Sequence, residues 1–175
     1  GAGIEKLGAN QSAVVTFDVQ VKDSSLTATD TSAPATITLT IDGSNDAATV
    51  SSASEDLIET NDILTASGTL TSTDIDNDDN KFTAETVSGT NGSVTIDANG
   101  NWNFTANSTF DELNVADTLS EDFTVTTIDG TPTTITINIE GTNDTALVSS
   151  DIANLVETNN ILTASGTLEN TDTDN

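Results

Sequence analysis

Nearly the same thirty-five residues occur twice in this chain, and that repetition limits its architecture more than any other feature. "GSNDAATVSSASEDLIETNDILTASGTLTSTDIDN" (43–77) aligns without a gap to "GTNDTALVSSDIANLVETNNILTASGTLENTDTDN" (141–175), with 23 of 35 positions identical at a displacement of 98 residues (141 against 43). Shared composition does not produce identity at that density. "IEKLGANQSAVVTFDVQVKD" (4–23) likewise matches "FDELNVADTLSEDFTVTTID" (110–129), which sets Leu7 on Leu113, Phe17 on Phe123 and Asp23 on Asp129. The first copy carries eight further residues in its "SSLTATDTSAP" hairpin before both copies reach "TITLTIDG" and "TITINIEG". Recurrence at a fixed period marks a modular unit. The chain therefore divides into the C-terminal part of one repeat (1–42), a complete repeat (43–140) and the N-terminal part of a third (141–175).

Within the complete repeat the apolar residues alternate with period two, the signature of strands with one buried face. Val94 and Ile96 alternate with polar residues, as do Trp102, Phe104 and Ala106, then Phe123 and Val125, then Ile135, Ile137 and Ile139. "TNGS" (90–93), "DANGN" (97–101) and "DGTP" (129–132) supply turn chemistry between these runs. Thr dominates the outward positions, where a β-branched side chain suits a solvated strand. The spacing predicts seven strands, A to G, near 47–52, 62–70, 81–88, 93–97, 101–106, 122–128 and 133–140, with a helical turn around "FDELNVAD" between the last two pairs. Seven short antiparallel strands per hundred residues read as an all-β chain of tandem two-sheet sandwiches, of the immunoglobulin or cadherin kind.

The charge narrows the partners. Twenty-nine acids stand against three bases, Lys6, Lys22 and Lys81, for a net charge of −26, and Arg is absent. Phosphate contacts need Lys and Arg, so nucleic acid is excluded as a partner, and anionic membrane surfaces are disfavoured. A cation is the partner such a chain invites. No apolar stretch is long enough to insert into a bilayer, and residues 1–20 lack the pattern of a signal peptide, so the chain reads as a section of a longer polypeptide. With no Cys and no Met, neither a disulfide nor an oxidisable sulfur is present. That fits an exported protein stiffened by other means.

The acids are not spread evenly. In the expected sandwich, strand A leaves the linker "GSND" (43–46, with Asn45 and Asp46) and strand B returns to the same end. The B–C loop with Asp74, Asp76 and Asp78 and the F–G hairpin with Asp129 then lie at that end too. Glu59, in the A–B turn "LIETND", falls at the far end beside the next linker "GTND" (141–144). Carboxylates and Asn side chains thus converge on each junction. Hard oxygen ligands in such numbers favour Ca²⁺, and no imidazole or thiolate is present to favour zinc or copper. Asp74, Asp76, Asp78 and Glu85 also fall at EF-hand spacing, but Asp79 stands where that loop needs Gly and a strand follows instead of a helix. "DANGN" reads as a hairpin turn, Trp102 as a core residue, and the Asn-x-Ser/Thr sequons as a consequence of composition.

"GTLTSTDIDND", "GSVTIDANGNWNFT" and "LNVADTLSEDFTVTTIDGTPTTITINIEGTND" together resemble the VCBS repeat of giant bacterial surface proteins, including RTX-type adhesins. The resemblance implies a cadherin-like sandwich, export to the cell surface, and calcium between or within repeats. Cadherin junctions take ligands from an A–B Glu, an Asn-Asp linker and a D-x-D of the next domain. On this sequence those roles fall on Glu59, on Asn143 and Asp144, and on Asp172 and Asp174, and the preceding junction would use Asn45, Asp46, Asp74 and Asp76. The "GTND" linker carries fewer acids than the cadherin one.

Three functional classes compete. An enzyme would have to work without His, Cys, Tyr or Arg, which removes the usual bases and nucleophiles. A paired-carboxylate glycosidase is formally open, yet one Trp and five Phe are too few for a sugar cleft beyond the core. A ligand- or carbohydrate-binding module would need an exposed platform that no strand shows. A non-enzymatic spacer repeat of a large secreted or surface adhesin accounts for the tandem copies, the acidity and the junction carboxylates together. Its partners would be adjacent repeats of the same polypeptide, or neighbouring chains in a self-associating filament.

Overall fold

The computed structural model describes residues 5–24, 31–76 and 80–174, and Asp78 lies outside them. The described residues hold strands, turns and loops, with no helix. In chain order β1 (Ser12–Val19) and β2 (Ala35–Asp42) precede the complete repeat. Within it follow β3 (Thr49–Val50), β4 (Ala53–Ile58), β5 (Thr65–Thr69), β6 (Ser72–Thr73) and β7 (Glu85–Ser88). Then come β8 (Gly92–Ile96), β9 (Asn101–Ala106), β10 (Thr118–Thr126) and β11 (Pro132–Glu140). The last two, β12 (Leu147–Val148) and β13 (Asn170–Thr171), lie beyond the second linker.

One sheet runs β5-β9-β8-β7 with every neighbour antiparallel, and the other runs β10-β11-β4. Alternation does the sorting. Trp102 and Phe104 on β9 point inward together with Val94 and Ile96 on β8, and Phe123, Val125, Ile135, Ile137 and Ile139 meet them from the other sheet. The rings of Phe104 and Phe123 cross between the layers, centroids 5.8 Å apart and tilted 56°. This tilted pairing suits the aromatic quadrupoles. Facing outward on the first sheet are Thr, Ser and Asn, as the period-two pattern requires. The turn after β8 fixes one glycine: Gly100 has φ +84°, a left-handed conformation that favours glycine, and a Cβ there would also press on the Phe82 ring.

Three expectations need correction. Strand A is not a single run near 47–52 but two pieces, β3 pairing antiparallel with β6 and β4 pairing parallel with β11. The chain changes sheet between Val50 and Ala53, so the sandwich is not wholly antiparallel. Strand C is likewise not a single run over 81–88: β7 covers Glu85–Ser88, and Phe82 before it bridges instead to Thr127, just after β10. Finally, "FDELNVAD" forms two tight turns instead of a helical one. Leu113 N donates to Phe110 O and Asp117 N to Asn114 O, while Phe110 (φ 65°) and Ala116 (φ 74°) sit in the left-handed region that interrupts a helix.

The flanking segments keep the register of the complete repeat without its burial. Phe17 faces Ile37 across β1 and β2 as Phe123 faces Ile135 across β10 and β11. Phe17 is nevertheless 53 % exposed and Ile37 54 %, against 1 % and 0 % for their counterparts. β12 and β13 repeat the β3–β6 pair, with Leu147 on Thr171 as Thr49 is on Thr73.

Candidate metal centre

At the lower end of the complete repeat three carboxylates meet. Glu59 follows β4 directly, Asp111 comes from the turn after Phe110, and Asp144 closes the second linker; one oxygen from each lies within 4.8 Å of the other two. Backbone contacts hold the three elements together: Glu59 N donates to Glu140 O at 2.8 Å, and Gly141 N donates to Asp117 O at 2.9 Å. The linker begins with Gly because it runs flush against the loop. A Cβ on Gly141 would stand 2.5 Å from Asn114 O.

The oxygens are poorly satisfied. Glu59 is buried, and its Oε2 accepts from Thr142 Oγ1 at 2.7 Å and from Thr142 N at 3.3 Å, while Oε1 has no partner. Asp144 Oδ1 accepts from Asn61 Nδ2 at 3.2 Å, and its Oδ2 is buried without a partner. Asp111 Oδ1 and Asp172 Oδ1 are in the same condition. Burial pushes the Asp144 carboxyl above its ordinary value, and the charges of Glu59, Asp111 and Asp174 push it further, against the hydrogen bond from Asn61. Burying like charges with unpaired oxygens is costly unless a cation or proton completes them.

Residues of the following segment close on this cluster. Asp174, itself buried, accepts from Asp144 N through Oδ2 at 3.2 Å. The Asp172–Asp174 interaction raises the Asp172 carboxyl and lowers that of Asp174. Asn143 turns back on its own linker, its Nδ2 donating to Asp144 O at 2.5 Å. The cleft there is lined by Asn61, Asp111, Asn143, Asp144 and Thr173, with Leu147 as its apolar member.

The upper end repeats these contacts. Asp46 N donates to Asp76 Oδ2 at 3.0 Å, Asn45 Nδ2 to Asp46 O at 2.8 Å, and Gly43 N to Gln11 O at 2.8 Å. Asp76 N also donates to Asp74 Oδ1 at 3.1 Å. Asp129 reaches the same end with both oxygens engaged. Thr127 Oγ1 donates to Oδ1, and Thr131 Oγ1 and Ala48 N donate to Oδ2 at 2.7 and 3.0 Å. Burial raises the Asp129 carboxyl, but these donors outweigh it and hold it well below its ordinary value. Its geometry is that of a brace between the hairpin and the incoming linker.

The acid runs of the sequence do not single out Asp111. The signal was present in the second repeat alignment, where "FDEL" sits on "IEKL" and Asp111 on Glu5, an acid at the same place in both copies.

A two-sheet β-sandwich with carboxylates gathered at one end defines the class to which this fold belongs. The bacterial cadherin-like domain family matches residues 45–141, more than half of the chain, and the chain belongs to that family. Domains of this family are structural or adhesion-type modules, generally non-enzymatic, typically extracellular and typically calcium-binding. No curated protein matches the chain. None of the described residues forms a helix long and apolar enough to cross a membrane.

Proposed function

We propose that residues 43–140 are one spacer repeat of a large secreted or cell-surface bacterial adhesin, flanked by parts of its neighbours at 1–42 and 141–175, and that Ca²⁺ stiffens the joints. The observation that carries this reading is a cluster in which one carboxylate oxygen from each of Glu59, Asp111 and Asp144 lies within 4.8 Å of the other two, each of these residues also keeping a buried oxygen without a partner. The donor set fits a hard divalent cation: carboxylate and amide oxygens only, in the number and flexibility that Ca²⁺ accepts. Glu59, Asp111 and Asp144 would hold the ion, and Asp172 and Asp174 would bring the next unit to it. At the preceding joint Asn45, Asp46, Asp74 and Asp76 would do the same. A bound cation supplies the positive charge that lets these acids stay ionised and close together. The protein's own residues fix the linker between two sandwiches, so the role is mechanical and non-enzymatic. Its partners are the adjacent repeats of the same polypeptide.

Calorimetric titration of the chain with Ca²⁺, alongside Mg²⁺, tests this directly. Binding of Ca²⁺ that is lost in Glu59→Gln and in Asp144→Asn is expected. No heat of Ca²⁺ binding at millimolar concentration would overturn the calcium reading.

A further inference from the structure

We propose that Lys6 is the resident counter-ion of the upper joint, so that this joint closes without calcium while the lower one depends on it. The inference deepens the calcium reading of the joints and rests on it for the lower end. The two joints are built alike. Before β1, Gln11 N donates to Gly8 O at 3.1 Å and Gly43 N to Gln11 O at 2.8 Å. Before β10, Asp117 N donates to Asn114 O and Gly141 N to Asp117 O, both at 2.9 Å. Asn10 (φ 68°) and Ala116 (φ 74°) take the same left-handed place in the two turns. Each joint also has a cleft beside its linker. Thr49, Thr73 and Ile75 line the upper one, and their repeat counterparts Leu147, Thr171 and Thr173 line the lower.

What differs is the side chain that the preceding turn sends into the cleft. In the lower cleft it is Asp111, and in the upper it is Lys6. The alignment that sets Glu5 on Asp111 sets Lys6 on Glu112, so the charge at this place is reversed between the copies. The chain has only three bases, and one of them stands at a joint made of acids. Asp74 lines the same cleft, beside the contact of Asp46 N with Asp76 Oδ2. Among the described residues, three acid oxygens gather within 4.8 Å of one another only at the lower end. Acids drawn together stay ionised when a cation offsets them. The lower cleft is lined by no base and must take its cation from solution. At the upper joint the chain brings its own, an ammonium on a flexible stem that can follow the negative charge along the cleft. The same ammonium repels an incoming dication, so calcium should bind there about tenfold more weakly than at the lower joint. Two joints of one chain would then stiffen at different calcium concentrations.

Amide exchange of the full chain, read residue by residue by NMR, separates the two joints. Gly43 and Asp46 report the upper one, and Gly141 and Asp144 the lower. In chelator, Lys6→Glu and Lys6→Gln should speed exchange at Gly43 and Asp46 by about threefold or more. Lys6→Arg should match the wild type, and the paired amides of β1 and β2 should keep their protection in all three variants. Millimolar Ca²⁺ should slow exchange at Gly141 and Asp144 in the wild type, and should slow Gly43 and Asp46 most in Lys6→Glu. The reverse change, Asp111→Lys, should slow exchange at Gly141 and Asp144 in chelator, since it gives the lower cleft a cation of its own. Unchanged exchange at Gly43 and Asp46 in both Lys6→Glu and Lys6→Gln in chelator would overturn the proposal, whatever calcium does. If those variants open the upper joint while Ca²⁺ leaves the lower joint of the wild type unmoved, Lys6 keeps its role and the calcium reading falls.

Discussion

Asp144 and Asp174, thirty positions apart, are joined by a hydrogen bond from Asp144 N to Asp174 Oδ2 at 3.2 Å, and Asp46 and Asp76 repeat it at 3.0 Å. Each pair ties an incoming linker to the loop that follows the second strand of its unit. The contact recurs with the sequence repeat. At the lower joint it also completes a ring of carboxylates from Glu59, Asp111 and Asp144. The predictions below follow from that ring and from the sandwich that supports it.

Glu59→Gln should have opposite effects with and without calcium. In chelator the buried Glu59 carboxylate stands beside Asp111 and Asp144, and removing its charge relieves that repulsion, so the variant should melt at or above the wild-type temperature. With Ca²⁺ at about a hundred times Kd the wild type should gain roughly 2.7 kcal/mol per site, and the variant little of it. Thermal melts of both proteins in both buffers would show the crossing. A variant that gains as much from Ca²⁺ as the wild type would remove Glu59 from the site.

Asp129 should govern acid stability at the other end. Its carboxyl is held below the ordinary 3.8 by Thr127, Thr131 and Ala48 in spite of burial. A depressed acid contributes stability in full above its unfolded value and loses it as pH falls through the lower folded value. The wild type should therefore lose this contribution only below about pH 4. Asp129→Ala removes the acceptor for Ala48 N and both threonines, at a cost of about 1–3 kcal/mol at neutral pH. Denaturant melts from pH 7 to pH 2 should show the gap between the two proteins narrowing as the solution becomes acid. A constant gap would mean that the carboxylate charge is not what holds the linker.

The fold was largely legible because strand alternation and repetition are both local signals. Val94, Trp102, Phe104, Phe123 and Ile135 announce their inward faces by period two, and all are buried. What the pattern could not carry was pairing. Nothing in "SSASEDLIE" states that Ala53–Ile58 leaves one sheet to lie parallel to β11, because that choice is made by contacts some eighty residues distant. The acids stand out in the sequence as clusters on turns, and in the structure Glu59 and Asp144 share a cluster while Asp174 accepts from Asp144 N. Asp111 is hidden because "FDELNVAD" has the local pattern of a helical turn, and a left-handed Phe110 is a tertiary outcome. Asp129 was grouped with the acids of the upper end; its engagement by Thr127, Thr131 and Ala48 depends on side-chain placement that spacing does not reveal.

Equivalent substitutions in the two hairpins should differ sharply. Phe123 is buried against Phe104, and Phe123→Ala should cost about 3–5 kcal/mol. Phe17, its counterpart, is 53 % exposed, so Phe17→Ala should cost no more than about 1 kcal/mol in the 175-residue chain. In a longer chain that includes the residues preceding position 1, the Phe17 cost should rise to that of Phe123, since the proposed neighbouring sandwich would then cover it. Denaturant midpoints of these variants, each against its own wild-type chain, decide the matter. If Phe17→Ala stays mild in the longer chain, residues 1–42 are not the end of a repeat like the one at 43–140.

The joint itself should stiffen with calcium. Asp172 and Asp174 lie beyond the linker, whereas Glu59 and Asp111 belong to the sandwich before it, so on the proposed reading an ion shared among them would restrict the angle at the linker. Only oxygen ligands are offered, and extracellular calcium modules of this chemistry bind at about 10⁻⁴–10⁻³ M, so the effect should appear over the low millimolar range. Small-angle scattering from a chain of at least two complete repeats should give a larger maximum dimension in Ca²⁺ than in chelator. Replacing Asp172 and Asp174 together by Asn leaves the hydrogen-bonding shape while removing both charges, and should abolish the difference at that joint. The melting temperature of the preceding sandwich in chelator should move little, because neither residue touches its core. Identical wild-type profiles in the two buffers would place any bound ion within a repeat and leave the linker free to bend.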